Sequence, residues 1–108
     1  MFPKIAILTL NPGIDRIVYL DAPLSVGGHN RSSRAVVCQG SKGANQAIML
    51  KNLGIDADYF SFTGGVYGGL SEKFLSERGI RQNLVETACG VRLNIKVIDG
   101  SGIGTELN

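Results

Sequence analysis

Three stretches of the sequence carry groups suited to holding a hydroxylated or anionic ligand. Asp15 follows Asn11-Pro12-Gly13 and offers a carboxylate to which two hydroxyl groups can donate. The loop Gly40-Ser41-Lys42-Gly43-Ala44-Asn45 combines two glycines, which let backbone approach a ligand with no Cβ in the way, and the free amides of a helix start, which favour hydroxyl oxygens and anions. Thr63-Gly64-Gly65 is the third, another glycine-rich turn. Each has a plainer reading when taken singly: an Asp after Asn-Pro-Gly serves turns, and glycine-rich strand-to-helix turns serve tight geometry. Arg92 and Lys96 lie on the polar side of an alternating segment and, like Arg31 and Arg34, read on their own as plain solvated charges. Neither a Walker A pattern nor Gly-x-Gly-x-x-Gly occurs, which argues against a standard nucleotide cradle and a Rossmann dehydrogenase.

The elements that must position these groups follow from periodicity. Ile5-Ala6-Ile7-Leu8 is continuously apolar, as in a central parallel strand covered on both faces, and Asn11-Pro12-Gly13 stops it, which sets Asp15 just past the strand's carboxyl end. Gly43 to Leu53 reads as a helix whose apolar residues spread almost all round and imply deep burial, with Gly54 as left-handed stop and Ile55 as its hydrophobic partner. The same stop, Gly79-Ile80, ends a second helix over Leu70 to Arg78. Ala57 to Phe62 between them reads as a strand. Val91 to Val97 alternates strictly and predicts a strand with one wet face; Asp99-Gly100 marks a turn and Ile103 to Leu107 its return. Val18 to Leu20 and Arg34 to Cys38 are shorter candidates for the same antiparallel sheet. The pattern predicts an α/β body with a small β-lid, the three polar stretches meeting where ligands bind in open α/β sheets, at the strands' carboxyl ends.

Composition narrows the class. With 44% apolar and 19% charged residues the chain is a folded globule. At 108 residues it has the size of one domain, short for an enzyme with two substrates and its own nucleotide site. A net charge of +2 without a basic cluster argues against DNA or RNA. Cys38, Cys89 and a single histidine have no metal-ligand spacing, so both cysteines are expected as buried, reduced thiols. Met1 to Leu10 has a strand pattern too short for a signal or membrane segment, and the expected compartment is the cytoplasm.

Taken together, Thr9-Leu10-Asn11-Pro12-Gly13-Ile14-Asp15, Asn30-Arg31, Gly40-Ser41-Lys42-Gly43-Ala44-Asn45, Gly64-Gly65 and Val91-Arg92-Leu93-Asn94 resemble, in order and spacing, the 1-phosphofructokinase branch of the PfkB/ribokinase family. The ending Gly104-Thr105-Glu106-Leu107-Asn108 is similar to that branch as well. The resemblance implies a ribokinase-like three-layer α/β body, here partial, with a small antiparallel β-sheet lid built from segments near 16–20, 31–38 and 91–107. It implies a kinase using ATP and Mg to phosphorylate a sugar phosphate, most simply fructose 1-phosphate to fructose 1,6-bisphosphate, and a homodimer formed through the lid.

Carried onto this chain, the resemblance makes Asp15, the backbone of Gly40 and the side chain of Asn45 sugar-binding groups, with Ser41 and Lys42 in the same loop. Arg92 would reach from the lid to the phosphate already on the substrate. His29 falls at a variable lid position and reads better as an exposed lid residue. The family usually has two glycines where this chain has Gly40-Ser41, so Ser41 either narrows the site or adds a hydrogen bond. The Gly-Ala-Gly-Asp segment with the catalytic aspartate, the anion hole and the ATP pocket would lie beyond Asn108, and the chain stops right after the return strand as though the fold continues. The competing expectations are a tagatose-6-phosphate kinase, a ribokinase-like kinase of an unphosphorylated sugar, and a non-catalytic sugar-phosphate-binding or dimerising module.

Overall fold

The computed structural model describes residues 4–108, so the first three residues of the Met1–Leu10 stretch lie outside it. Its elements run β1 (Ile5–Thr9), β2 (Gly13–Leu20), β3 (Ser32–Gln39), α1 (Lys42–Asn52), β4 (Ala57–Thr63), α2 (Gly68–Glu77), β5 (Gln82–Glu86), β6 (Arg92–Ile98) and β7 (Gly104–Leu107). They form two sheets: a body of three parallel strands in the order β1-β4-β5, and a lid of four in the order β3-β2-β6-β7.

The body core is Ile7, Ala44, Ala47, Tyr59, Leu75 and Ile80, where α1 and α2 lie on one face of the sheet. Both helices end as their glycines require. At the end of α1, Gly54 takes φ 79° and the amide of Ile55 reaches back to the Leu50 carbonyl at 2.9 Å. At the end of α2, Gly79 takes φ 73° and the amide of Ile80 reaches the Leu75 carbonyl at 3.1 Å. The all-round burial expected of α1 is not realised: only Ala44 and Ala47 are buried, while Met49 and Leu53 are 59% and 67% exposed. The two-sided cover expected of β1 is absent too. Ile7 and Thr9 face α1 and are buried, but Leu8 between them is 68% exposed, because this chain places helices on one side of the sheet only.

The lid differs from the expected antiparallel sheet in its central pair. β2–β3 and β6–β7 are antiparallel, whereas β2 and β6 run parallel, in register from Gly13 opposite Arg92 to Tyr19 opposite Ile98. The reason is topological: β1 and β5 belong to one parallel sheet, so the chain leaves both at the same end and enters the lid twice in the same direction. β2 is also longer than the Val18–Leu20 reading, and β5 went unread because its five residues place little but Leu84 against the core. The cysteines are not buried as expected: Cys38 is half-exposed on β3 and Cys89 is exposed in the β5–β6 connection.

Candidate functional site

A cleft of about 410 Å³ lies where the lid joins the body, and Asp15, Ser41, Lys42, Asn45 and Arg92 all line it. Asp15 does not sit in a turn after β1. It is the third residue of β2, since only Leu10 to Pro12 separate the two strands, so its carboxylate projects from the lid sheet. Lys42 and Asn45 stand one turn apart on the first turns of α1 and thus face the same way. Arg92 opens β6, and its amide donates to the Pro12 carbonyl at 3.2 Å, which ties the start of β6 beside the start of β2.

Gly40 lies behind Asp15. A Cβ there would stand 2.6 Å from Asp15 Oδ1, and the Gly40 amide donates to the Gly13 carbonyl at 3.0 Å, so glycine at 40 makes room for the carboxylate itself. Gly43 serves packing: a Cβ would lie 1.8 Å from Thr9 Oγ1, so α1 can rest on β1 only without one. Ser41 takes φ 73°, a region that favours glycine, and its Oγ accepts the Ala44 amide at 3.4 Å, so its hydroxyl caps α1.

Polar groups that the sequence left without a role complete the site. Asn94 Nδ2 donates to Asp15 Oδ1 at 3.0 Å, and Asn94 Oδ1 accepts from Arg92 Nη1. The Arg92 Nε is buried and has no partner among the described residues. Gln39 braces the junction, donating to the carbonyls of Gly13 and Gly40 at 3.2 and 3.1 Å while its Oε1 accepts the Ser71 hydroxyl at 3.1 Å. Lys96 and Glu106, paired at 3.1 Å, also line the cleft. The Arg92-x-Asn94-x-Lys96 alternation was the available signal for Asn94; nothing local marked Gln39. Cys38 stands opposite Asp15 across the β2–β3 pair; partial burial, then the Asp15 charge, push its thiol pKa up, against an opposing pull from Lys96.

Thr63-Gly64-Gly65, the third stretch expected at the ligand, is not among the cleft residues. It is locked to the β5–β6 connection instead: the Thr63 carbonyl accepts the Thr87 amide at 2.8 Å, and the Gly64 carbonyl accepts the Val91 amide at 3.1 Å. A Cβ at Gly90 would lie 2.5 Å from the Gly64 oxygen, so these glycines allow two backbones to cross. Asn30 is a loop brace, bonded through its amide to the Ser25 backbone at 2.8 and 2.9 Å, while His29 and Arg31 are exposed. Arg34 stacks on Tyr19, 4.1 Å from the ring centre.

No protein-family model matches the chain. Among curated proteins it is similar to the 1-phosphofructokinase of Bacillus subtilis (strain 168), 35% identical over 101 residues that cover 94% of this chain and 32% of that protein. Among solved structures it is similar to phosphofructokinase-2 from Escherichia coli in complex with substrates and products, with a TM-score of 0.90 and 25% identity over 98% of this chain and 34% of that one. A tetrameric inhibited form of the same protein matches with a TM-score of 0.86 at 25% identity over 97% of this chain and 34% of that one. The chain thus spans about a third of the length of the proteins it matches.

Proposed function

We propose, from the premise that this chain belongs to the PfkB/ribokinase family of carbohydrate kinases, that it supplies the sugar-binding cleft and lid of an ATP-dependent phosphosugar kinase. The substrate that fits best is fructose 1-phosphate, converted to fructose 1,6-bisphosphate, since the curated relatives are 1-phosphofructokinases. The observation that carries this reading is the convergence of Asp15, Asn45 and Arg92 on one cleft, with Arg92 Nε buried and unpaired among the described residues. A buried donor without an acceptor costs free energy that a bound anion would recover, and a guanidinium fork suits two phosphate oxygens.

The division of labour follows from the chemistry of the side chains. The Asp15 carboxylate and the Asn45 amide hold sugar hydroxyls, and Gly40 offers backbone at the same place. Ser41 and Lys42 complete the wall at the start of α1, where helix amides favour oxygen ligands. Arg92 holds the phosphate already on the sugar. Together they fix the free primary hydroxyl in one orientation, which removes part of the entropic barrier to phosphoryl transfer. ATP with Mg supplies the transferable phosphoryl group. Among the described residues no group of three His, Cys, Asp or Glu side chains could hold a metal ion, and no step is assigned to one on this chain. We place the nucleotide, the metal and the catalytic aspartate in the two thirds of a full-length kinase that the chain does not span.

The same reading gives a homodimer joined through the lid, whose exposed apolar residues Val37 and Leu107, on one face of the sheet, would be covered by a second copy, and a cytoplasmic setting. No helix among the described residues is long and apolar enough to cross a membrane.

Kinetics of the full-length protein test the reading. Fructose 1-phosphate, tagatose 6-phosphate and unphosphorylated fructose are compared as substrates, and Arg92→Ala is expected to raise the KM for the phosphosugar far more than it lowers kcat. An unchanged KM in Arg92→Ala, or a preference for the unphosphorylated sugar, overturns it. Saturable phosphosugar binding without any turnover would favour a binding module instead.

A further inference from the structure

Asp15 and Arg92 carry opposite charges on adjacent parallel strands, two register positions apart, with Asn94 directly opposite Asp15. Left to themselves, a carboxylate and a guanidinium at that spacing would pair, and each would be lost to a ligand. The Asn94 amide stands between them. Its Nδ2 occupies one carboxylate oxygen of Asp15 at 3.0 Å, and its Oδ1 occupies one terminal nitrogen of Arg92. The second Asp15 oxygen and the Nε of Arg92 have no protein partner among the described hydrogen bonds, and that Nε is buried. Glycine at 13 leaves room for this arrangement, since a Cβ there would stand 3.2 Å from Asn94 Nδ2 and 3.3 Å from Arg92 Cγ.

From this juxtaposition we infer that Asn94 is a positioning residue: a neutral spacer that keeps Asp15 and Arg92 apart, so that one stays available to hydroxyls and the other to an anion. An amide is the side chain this task requires, since it donates at one end and accepts at the other without adding charge. The inference rests on the reading that Arg92 holds phosphate, and the experiment separates the two.

Binding of inorganic phosphate to the full chain is measured by calorimetry in four variants. Arg92→Ala is the control; undiminished binding there refutes the reading of Arg92. Asn94→Ala is expected to weaken phosphate about tenfold or more, the scale of one charge-assisted contact, because Arg92 closes onto Asp15. Asn94→Ala combined with Asp15→Asn is expected to recover the affinity, since no carboxylate remains to capture the guanidinium. A loss that Asp15→Asn does not restore marks Asn94 as a packing residue only and overturns the inference, as does the absence of any loss. Asn94→Asp keeps the side-chain shape and guards against misfolding of the alanine variants. It is expected to bind phosphate at least as weakly as Asn94→Ala, and wild-type affinity there also overturns the inference.

Discussion

Ser41 holds a backbone conformation, φ 73° and ψ 146°, that an L residue adopts at a cost of about 1–3 kcal/mol. Its hydroxyl offsets part of that cost by capping α1, a contribution of roughly 1 kcal/mol. Ser41→Gly removes the strain and gives up only a few tenths of the cap, so it is expected to stabilise the chain by about 1 kcal/mol. Ser41→Ala keeps the strain and loses the cap, and is expected to destabilise by a similar ~1 kcal/mol. Denaturant titration of the pair checks both signs; a Ser41→Gly protein no more stable than the unchanged one shows that the hydroxyl has work beyond the cap. Cys38 gives a second test at this scale. Burial, with the Asp15 carboxylate second, opposes its thiolate, so alkylation of Cys38 should rise only at pH above the ordinary thiol range, while exposed Cys89 reacts first. Peptide mapping of the labelled sites across pH decides it, and equal rates at the two cysteines would contradict the stated burial.

One contact between elements holds the body together and another the lid. α1 rests on β1 at Gly43, where a methyl group would press into the Thr9 hydroxyl and approach Ile7 Cγ2 at 3.3 Å. Gly43→Ala is therefore expected to destabilise by about 1–3 kcal/mol despite alanine's better helix propensity. Thermal unfolding measures it, and a stabilised variant would mean that α1 can lift without cost. At the far end of the lid, Asp99 organises the β6–β7 hairpin. Its carboxylate accepts the Leu24 amide at 3.0 Å and those of Ser101 and Ile103 at 2.9 and 3.1 Å. These bonds, that of Leu24 foremost, lower its pKa below the ordinary Asp value. A depressed carboxyl stabilises the fold above the unfolded-state pKa, and that stabilisation fades as pH falls through the folded value. Amide exchange at Leu24, Ser101 and Ile103 should accelerate, relative to the rest of the lid, below the ordinary carboxylate range. Asp99→Asn should show the same loosening at neutral pH. Uniform exchange across the lid in both conditions would remove Asp99 from this role.

At the scale of the molecule, the body sheet has one bare face. Leu8 and Val85 are 68% and 62% exposed, Phe60 lies on the same side, and β1 and β5 are open edges. The shape is long, 55 × 33 × 19 Å, with a radius of gyration of 16.2 Å, against about 13 Å for a compact domain of this length. Apolar area of this kind and unpaired edges drive association. The 108 residues on their own are expected to self-associate, and Leu8→Lys with Phe60→Lys to reduce it while leaving circular dichroism unchanged. Light scattering over a concentration series measures this; a strictly monomeric unchanged chain would refute it.

What the amino-acid order determined by itself was local. The glycine stops after α1 and α2, the β6 strand, and the Asp99-Gly100 turn each rest on backbone preferences or periodicities confined to a few residues, and each was legible, although the single wet face expected of β6 is not realised, its residues being half-buried throughout. The same holds for the candidate site as a set of residue types: Asp15, Ser41, Lys42, Asn45 and Arg92 were named from turn chemistry, a helix start, one polar strand face and family resemblance. Only the tertiary structure decided that β2 and β6 run parallel and that Asn94, 79 positions from Asp15, is the group that touches it. It also decided that Gly64 serves a backbone crossing and that α1 buries one side alone. Those outcomes depend on which strands meet and on which faces find cover, and no short-range pattern carries that information, because strand pairing is fixed by the topology of the whole sheet and burial by what else is present to pack.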